Sequence, residues 1–365
     1  PRTDVLVEPQ KHFDVLTYTG TATGSGTQTI SDLQFAPDFV WIKSRAIGYS
    51  HLLVDTVRGA SKGLLSEDAN VEETSNQYGM VTSFRKNGFT MTRGSNDGGK
   101  CCENTQTYVA WCWKAGGAAV SNTDGDITSS VSVDEESGFS IATYTGSTAS
   151  GALTVGHGLG KKPAWVIIKR RDSSGEWIVG HQGLAVNAFA NNKFLKLDAS
   201  NSTFTNSLVF GAEPTTTVTQ IVTNGAGGAA NLTSSGTYVM YSWAEIPGFS
   251  KFGAYKGTGN SNGSFINVGF KPAFVLVKGN NFAGNWNLFD IKRPGQNPIN
   301  DRLFPNLEDA EYDGSSSNNQ IDIVANGFKL RGSNVDTNSA GNTYIYMAFA
   351  EQTSLNQYNL AVNGF

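Results

Sequence analysis

Charge is scarce in this chain. Asp, Glu, Lys and Arg make up 16% of its 365 residues, against about 25% in an ordinary soluble protein. The formal net charge is −4, and the Lys and Arg residues are scattered. There is no basic stripe to neutralise phosphates, so nucleic acid is not an expected partner. Cysteine is scarcer still. Cys101, Cys102 and Cys112 are too few, and odd in number, for a disulfide framework. The adjacent pair would close a strained ring, so reduced thiols are expected. No apolar run approaches the roughly 18–20 residues of a membrane span, and no membrane insertion is expected. The start "PRTDVLVEPQ" lacks the charged head and apolar stretch of a signal peptide, which points to synthesis in the cytoplasm.

Catalytic signatures are missing too. The chain has no HExxH, GxSxG, Walker loop or CxxC. None of the four histidines, His12, His51, His157 and His181, recurs with a supporting motif. "GHGLG" around His157 reads as a turn, and "TVRGASKG" from Thr56 lacks full P-loop spacing. A convincing 3.6-residue apolar period is also absent, which argues against helix.

What is abundant is glycine, at 42 residues, with Ser, Thr and Asn crowded between short apolar runs. Gly and Asn serve tight turns, and Thr and aromatics suit strands. The composition predicts an all-β chain of many short strands.

Four landmarks then recur in one order. The first is an opening strand: "FDVLTYTG" from Phe13, "FSIATYTG" from Phe139 and "FSKFGAYKG" from Phe249, the last with one extra residue. Next comes a proline phrase: "APDFVWIKSR" from Ala36, "KPAWVIIKRR" from Lys162 and "KPAFVLVKGN" from Lys271. The third is a turn and strand, "NGFTMTRGSND" from Asn87 and "NGFKLRGSNVD" from Asn326, reduced in the middle copy to "VTQIVTNGAG" from Val218. A closing strand ends each copy: "TYVAWCWK" from Thr107, "TYVMYSWAE" from Thr237 and "TYIYMAFAE" from Thr343. The phrase prolines Pro37, Pro163 and Pro272 lie 126 and 109 residues apart.

These landmarks predict three tandem antiparallel β-sandwich or jelly-roll-like repeats. The boundaries are 1–12 for an N-terminal extension, 13–114, 138–245 and 246–351 for the repeats, and 352–365 for a tail. A Gly-rich linker is expected from Ala115 to Ser137, and each copy is expected to enclose its own core. The phrase is apolar at consecutive positions, so its strand should be central and covered on both faces. Its terminal Lys should run along apolar surface and return its ammonium to water.

No residue is singled out as catalytic, cofactor-binding or metal-binding, and the ligand-contacting loops stay unassigned. Landmark aromatics read as core. Trp177, Trp286 and Tyr312, which lie outside the landmarks, are better candidates for surface contact. Carboxylates at Val71–Thr74 and Val133–Ser137 read as solvated charge, with a hydrolytic pair as the alternative. Asn122, Asp124 and Asp126 place alternate oxygen ligands in a turn, a pattern able to hold Ca²⁺, without the bidentate Glu of an EF-hand. Asn201, Asn231 and Asn262 begin N-x-S/T triplets of the kind an Asn- and Ser-rich chain contains by chance.

Taken together, "YTGTATG", "FAPDFVWIKSR", "VDTVRGASKGL", "GFTMTRGSNDG", "VGHGLGKKPAW", "EIPGFSKFGAYKGTG" and "NTYIYMAFAEQ" resemble a repeat-domain family of tailed bacteriophages, many of them marine. It resembles tail-fibre and other virion-appendage proteins, and its members are mostly labelled tail fibre or carry no name. The resemblance covers about Phe13 to Glu351. It implies a virion structural protein, made in the host cytoplasm and acting in host attachment. It also implies partners among other virion proteins and a host-surface glycan or outer-membrane receptor. Such appendages are commonly homotrimers, and three copies in one chain are also suited to an internal pseudo-threefold head. The alternatives are an architectural head-fibre, decoration or tail-cement protein, then a polysaccharide depolymerase, then a secreted lectin.

Overall fold

The computed structural model describes residues 8–96, 99–149, 151–207, 209–223, 236–294, 296–314 and 319–351. Asn231, the NG turn of the middle copy and the tail 352–365 therefore lie outside the described residues. Among the described residues the named elements are β-strands, apart from one short 3-10 turn, Pro9–Lys11, as the composition implies.

Each copy builds the same four-stranded antiparallel sheet. The opening strand pairs with the closing strand, the closing strand with the phrase strand, and the phrase strand with the one after it. In copy one these are Phe13–Thr19, Thr107–Trp113, Phe39–Ser44 and Leu52–Asp55. In copy two they are Phe139–Thr145, Thr237–Ala244, Pro163–Arg170 and Ile178–His181. In copy three they are Ser250–Lys256, Thr343–Ala350, Pro272–Gly279 and Asn287–Asp290. Registers coincide: Tyr18 faces Tyr108, Tyr144 faces Tyr238 and Tyr255 faces Tyr344. Those ring pairs stack with centroids 5.3, 5.1 and 5.0 Å apart. The extra residue of copy three falls before its strand begins and leaves the register intact.

A smaller outer sheet covers one face of each. In copies one and three it contains the NGF hairpin: Met80–Arg85 with Gly88–Thr92, and Ile321–Val324 with Gly327–Leu330. Glycine is required in both hairpins. A Cβ at Gly88 would sit 1.9 Å from the Ile30 carbonyl oxygen, and one at Gly327 would sit 2.0 Å from that of Ile266. In copy two Gly151–Gly156 pairs with Val218–Thr223. Each copy is thus a two-layer sandwich.

Strand alternation explains the consecutive apolar residues. In copy one Tyr108, Ala110 and Cys112 point into the copy's own core, with Val40 and Ile42. Val109, Trp111 and Trp113, with Phe39 and Trp41, point the other way, into a core common to all three copies. Copy two repeats this, with Val166, Ile168 and Met240 in its own core and Ile167, Tyr241 and Trp243 in the common one. Trp113 lies with its ring centroid 6.3 Å from Trp243 and 5.7 Å from Phe349, so aromatics of three copies meet. Copies one and two do enclose cores of their own, as expected, whereas Ile321, Phe328 and Leu330 of copy three join the common core. The common core is the addition: four strands with two apolar faces need cover on both, and the outer sheet supplies only one.

The linker expected from Ala115 to Ser137 is likewise corrected. Val120–Asn122 and Ser129–Asp134 are strands. Ser129–Asp134 pairs with the opening strand of copy two, from Ser129 opposite Tyr144 to Asp134 opposite Phe139. The alternation in "SSVSVD" suits a half-buried strand. With Lys193–Lys196 and Phe204–Thr205 at the far edge, this sheet reaches eight strands. The equivalent edges in the other copies are blunted instead. The Val15 amide donates to the Asp14 side chain at 2.8 Å, and Gln182 Nε2 donates to the Phe252 carbonyl at 2.8 Å.

A shared core makes the copies interdependent. Calorimetry should show the chain unfolding in one transition, and Val166→Asp should abolish that transition instead of removing one third of it. Resolved transitions for separate copies would contradict the shared core.

Candidate functional site

Many of the buried charged groups lie at the seams between copies, arranged cyclically. After its last sheet strand each copy sends a loop over the next copy. The Glu72 amide donates to the Arg171 carbonyl at 2.9 Å, Thr203 to Asn280 at 2.8 Å and Glu311 to Arg45 at 2.8 Å. Ring donors repeat the pattern. Trp177 Nε1 donates to the Leu65 carbonyl at 2.8 Å, Trp286 Nε1 to Lys196 at 2.9 Å and His51 Nε2 to Phe304 at 3.0 Å. Trp177 and Trp286 are fully buried, which corrects their reading as surface contacts. Tyr312 is 42% exposed and lies against the Arg302 guanidinium at 4.7 Å.

The phrase lysines follow the same cycle. Lys43, Lys169 and Lys278 are fully buried, so their ammoniums do not return to water. Lys169 donates to the Ala69 and Asn70 carbonyls at 3.2 and 2.8 Å, and Lys278 to those of Ser200 and Asn201 at 3.3 and 3.0 Å. Lys43 faces Glu67, Glu308, Asp309 and Glu311. Burial pushes all three down to about 8. Charge-assisted bonds to orphan loop carbonyls compensate for part of that desolvation.

Two seams carry a buried chain of charge. Between copies one and two, Tyr241 Oη donates to Asp55 at 2.7 Å and Arg58 binds both Asp55 and Glu72. Arg171 then grips Glu72 with two bonds of 3.0 and 3.1 Å. Between copies three and one, Trp111 Nε1 donates to Asp290 at 3.1 Å, Arg293 binds Asp290 and Glu311, and Arg45 grips Glu311. Burial works to raise the Glu72 and Glu311 carboxyls, yet the arginines hold both below their ordinary range. The third seam has Met347 where the others have Trp111 and Tyr241. With no donor there, His181 replaces the aspartate and donates Nε2 to the Tyr346 carbonyl at 3.1 Å. Its Nδ1 accepts from Gly183, and burial pushes the ring down to about 3, so it is neutral.

The remaining sequence candidates are accounted for locally. His157 accepts from the Leu159 amide through Nδ1 and is pushed down to about 4 by burial. Asp126 accepts from Thr154 N and Oγ1 at 3.0 and 2.8 Å, while Asn122 and Asp124 bond each other. All three brace the turn between Val120–Asn122 and Ser129–Asp134, the two added strands that form a wing on copy two. In "VEET", Glu72 belongs to a seam and Glu73 accepts from Lys100 at 2.6 Å, so neither is solvated charge. His12 meets Asp134 at 2.5 Å. The three cysteines are free and buried.

One open feature lies on the wing. A cleft of about 360 Å³ is formed by the added strands, the opening and closing strands of copy two, and Arg171. Of the nine described residues that line it, seven are Ser or Thr. Ser121, Ser130 and Thr143 stand opposite one another on three adjacent strands, and Thr145 stands opposite Thr237. Copy one has the corresponding Thr17, Thr19, Thr107 and Arg45 but no wing. The wing turns a rim of hydroxyls into a concave surface. Sequence reasoning missed it because the wing strands looked like linker.

A family model described as Domain of unknown function (DUF7483) matches residues 8–353, all three copies as one unit. The chain belongs to the DUF7483 family. No curated protein and no solved structure matches it. The DUF7483 match spans every strand that contributes to the common core.

Two measurements probe the seams of this DUF7483 chain. Asp55→Ala removes the buried carboxylate shared by Arg58 and Tyr241, leaving the Tyr241 hydroxyl without that acceptor and Arg58 with only Glu72 as counter-ion, and should cost about 3–5 kcal/mol in denaturant unfolding. Glu67, which accepts from the His51 backbone amide at 3.2 Å, is raised by burial to about 7, with Glu308 adding repulsion. The folded chain therefore keeps a proton that the unfolded chain releases near pH 4.5. This contribution is complete below about 4.5 and is lost as pH rises through about 7. Glu67→Gln should flatten that part of the Tm-against-pH curve and raise Tm at pH 7.5.

Proposed function

We propose that this chain is a virion structural protein of a tailed bacteriophage that attaches to host-surface glycan. The hydroxyl-lined cleft carries this reading. It is concave, polar and open, whereas the sequence-singled Trp177, Trp286, His51 and His181 are spent on the seams. Hydroxyls at strand spacing donate and accept in turn, which suits a ligand that is itself a row of hydroxyls. The resemblance to phage appendage proteins supports the same reading. A closed ring around a common core is a stiff mount for such a surface, and stiffness limits the entropy cost of binding. A homotrimer of these rings would use outward faces, because the inward faces are already covered.

The test is binding of labelled, purified chain to host cells, together with competition against phage adsorption. Thr145→Trp fills the cleft from an exposed position and should weaken cell binding at least about tenfold, a loss of about 1.4 kcal/mol, with Tm unchanged. Absence of cell binding, with the chain located on the capsid by electron microscopy, would replace this reading with the architectural one. Release of reducing ends from host polysaccharide would select the depolymerase.

A further inference from the structure

We propose that His12 and Glu136 form a divalent-metal site, of the zinc class, that clasps copy one to the wing of copy two. His12 follows the Pro9–Lys11 turn and is 5% exposed. Its carbonyl accepts from the Lys114 amide at 2.8 Å, which fixes the backbone. Both ring nitrogens face carboxylates from the far side of the seam. Nδ1 lies 2.5 Å from Asp134 Oδ2, and Nε2 lies 3.8 Å from Glu136 Oε2. The first is a strong charge-assisted hydrogen bond. The second is beyond hydrogen-bond reach, so a buried imidazole points a nitrogen at a carboxylate without bonding it. All three ligand atoms lie within 4.8 Å of one another.

That gap matches a metal better than a proton. Zinc binds nitrogen and oxygen at about 2.0–2.2 Å, which in a tetrahedron sets two ligands about 3.4 Å apart. Glu136 is 70% exposed and free to close the difference. Asp134 occupies the second role in such sites, a carboxylate on the distal ring nitrogen that fixes the tautomer and raises ligand basicity. It is itself held by the turn. The Glu136 amide donates to Asp134 Oδ1 at 3.2 Å, and the Gly138 amide to its carbonyl at 2.9 Å. The edge of Phe249, 6.3 Å away, covers one side of the ring. Imidazole with carboxylate favours zinc, nickel or copper over calcium. Two protein ligands leave the other positions to water. The residues matching His12 before the other opening strands are Gly138 and Phe249, so the clasp belongs to this seam alone.

The experiment is calorimetric titration of the untagged full chain with zinc chloride at pH 7.5, with calcium chloride as control. One saturable equivalent of zinc, a raised Tm and no calcium response are expected. Glu136→Gln, at an exposed position, should keep the apo Tm and lose the site. Asp134→Asn should weaken zinc by about 10–100-fold. Absence of saturable zinc binding, or binding that Glu136→Gln and His12→Gln leave unchanged, would overturn the proposal.

Discussion

A sheet that is apolar on both faces cannot stand with one face in water, and everything else in this chain answers to that constraint. The smaller outer sheets cover one face of each four-stranded sheet. Only the other two sheets are available to cover the second. Closing three sheets on a common core removes Trp113, Trp243 and Phe349 from water together. It also forces loop backbone and polar side chains into the seams. Buried polar groups must then find partners there, which is why the seams are dense in charge while the chain as a whole is poor in it.

The seams show how such partnering adapts. Where the closing strand offers an indole or phenol, the facing copy supplies an aspartate, and the aspartate requires an arginine. Where it offers Met347, the aspartate gives way to a neutral histidine and the ionic chain is dropped, with Asn280 in place of Arg45 and Arg171. The backbone hydrogen bonds persist through all three versions. Geometry is therefore common to the copies, and electrostatics is adjusted to each.

Much of the architecture was legible in the sequence. Repeated phrases located the opening, central and closing strands, because an unbroken apolar run such as "AWVIIK" admits only a strand covered twice. The same run did not say what covers it, since cover by the copy's own hairpin and cover by a neighbouring copy leave identical residues. Lys169 illustrates the limit: a lysine ending an apolar strand usually reaches water, and only the neighbouring loop at Ala69 and Asn70 prevents it. The wing was misread for a local reason, as "AGGAAVSNTDGD" conceals the short alternating strand that follows. The cleft disappeared with it, being made by pairing across that strand.

The seam between copies three and one has no peptide bond across it, yet its contacts match those of its neighbours. The Phe13 ring lies 5.0 Å from the Phe349 ring, so the first and last strands of the cycle are adjacent. A closed cycle has no intrinsic starting point. The order of copies along the gene is then one of three rotations that give the same ring, and circular permutation at the short Ile246–Gly248 join would relocate the chain ends without moving a seam.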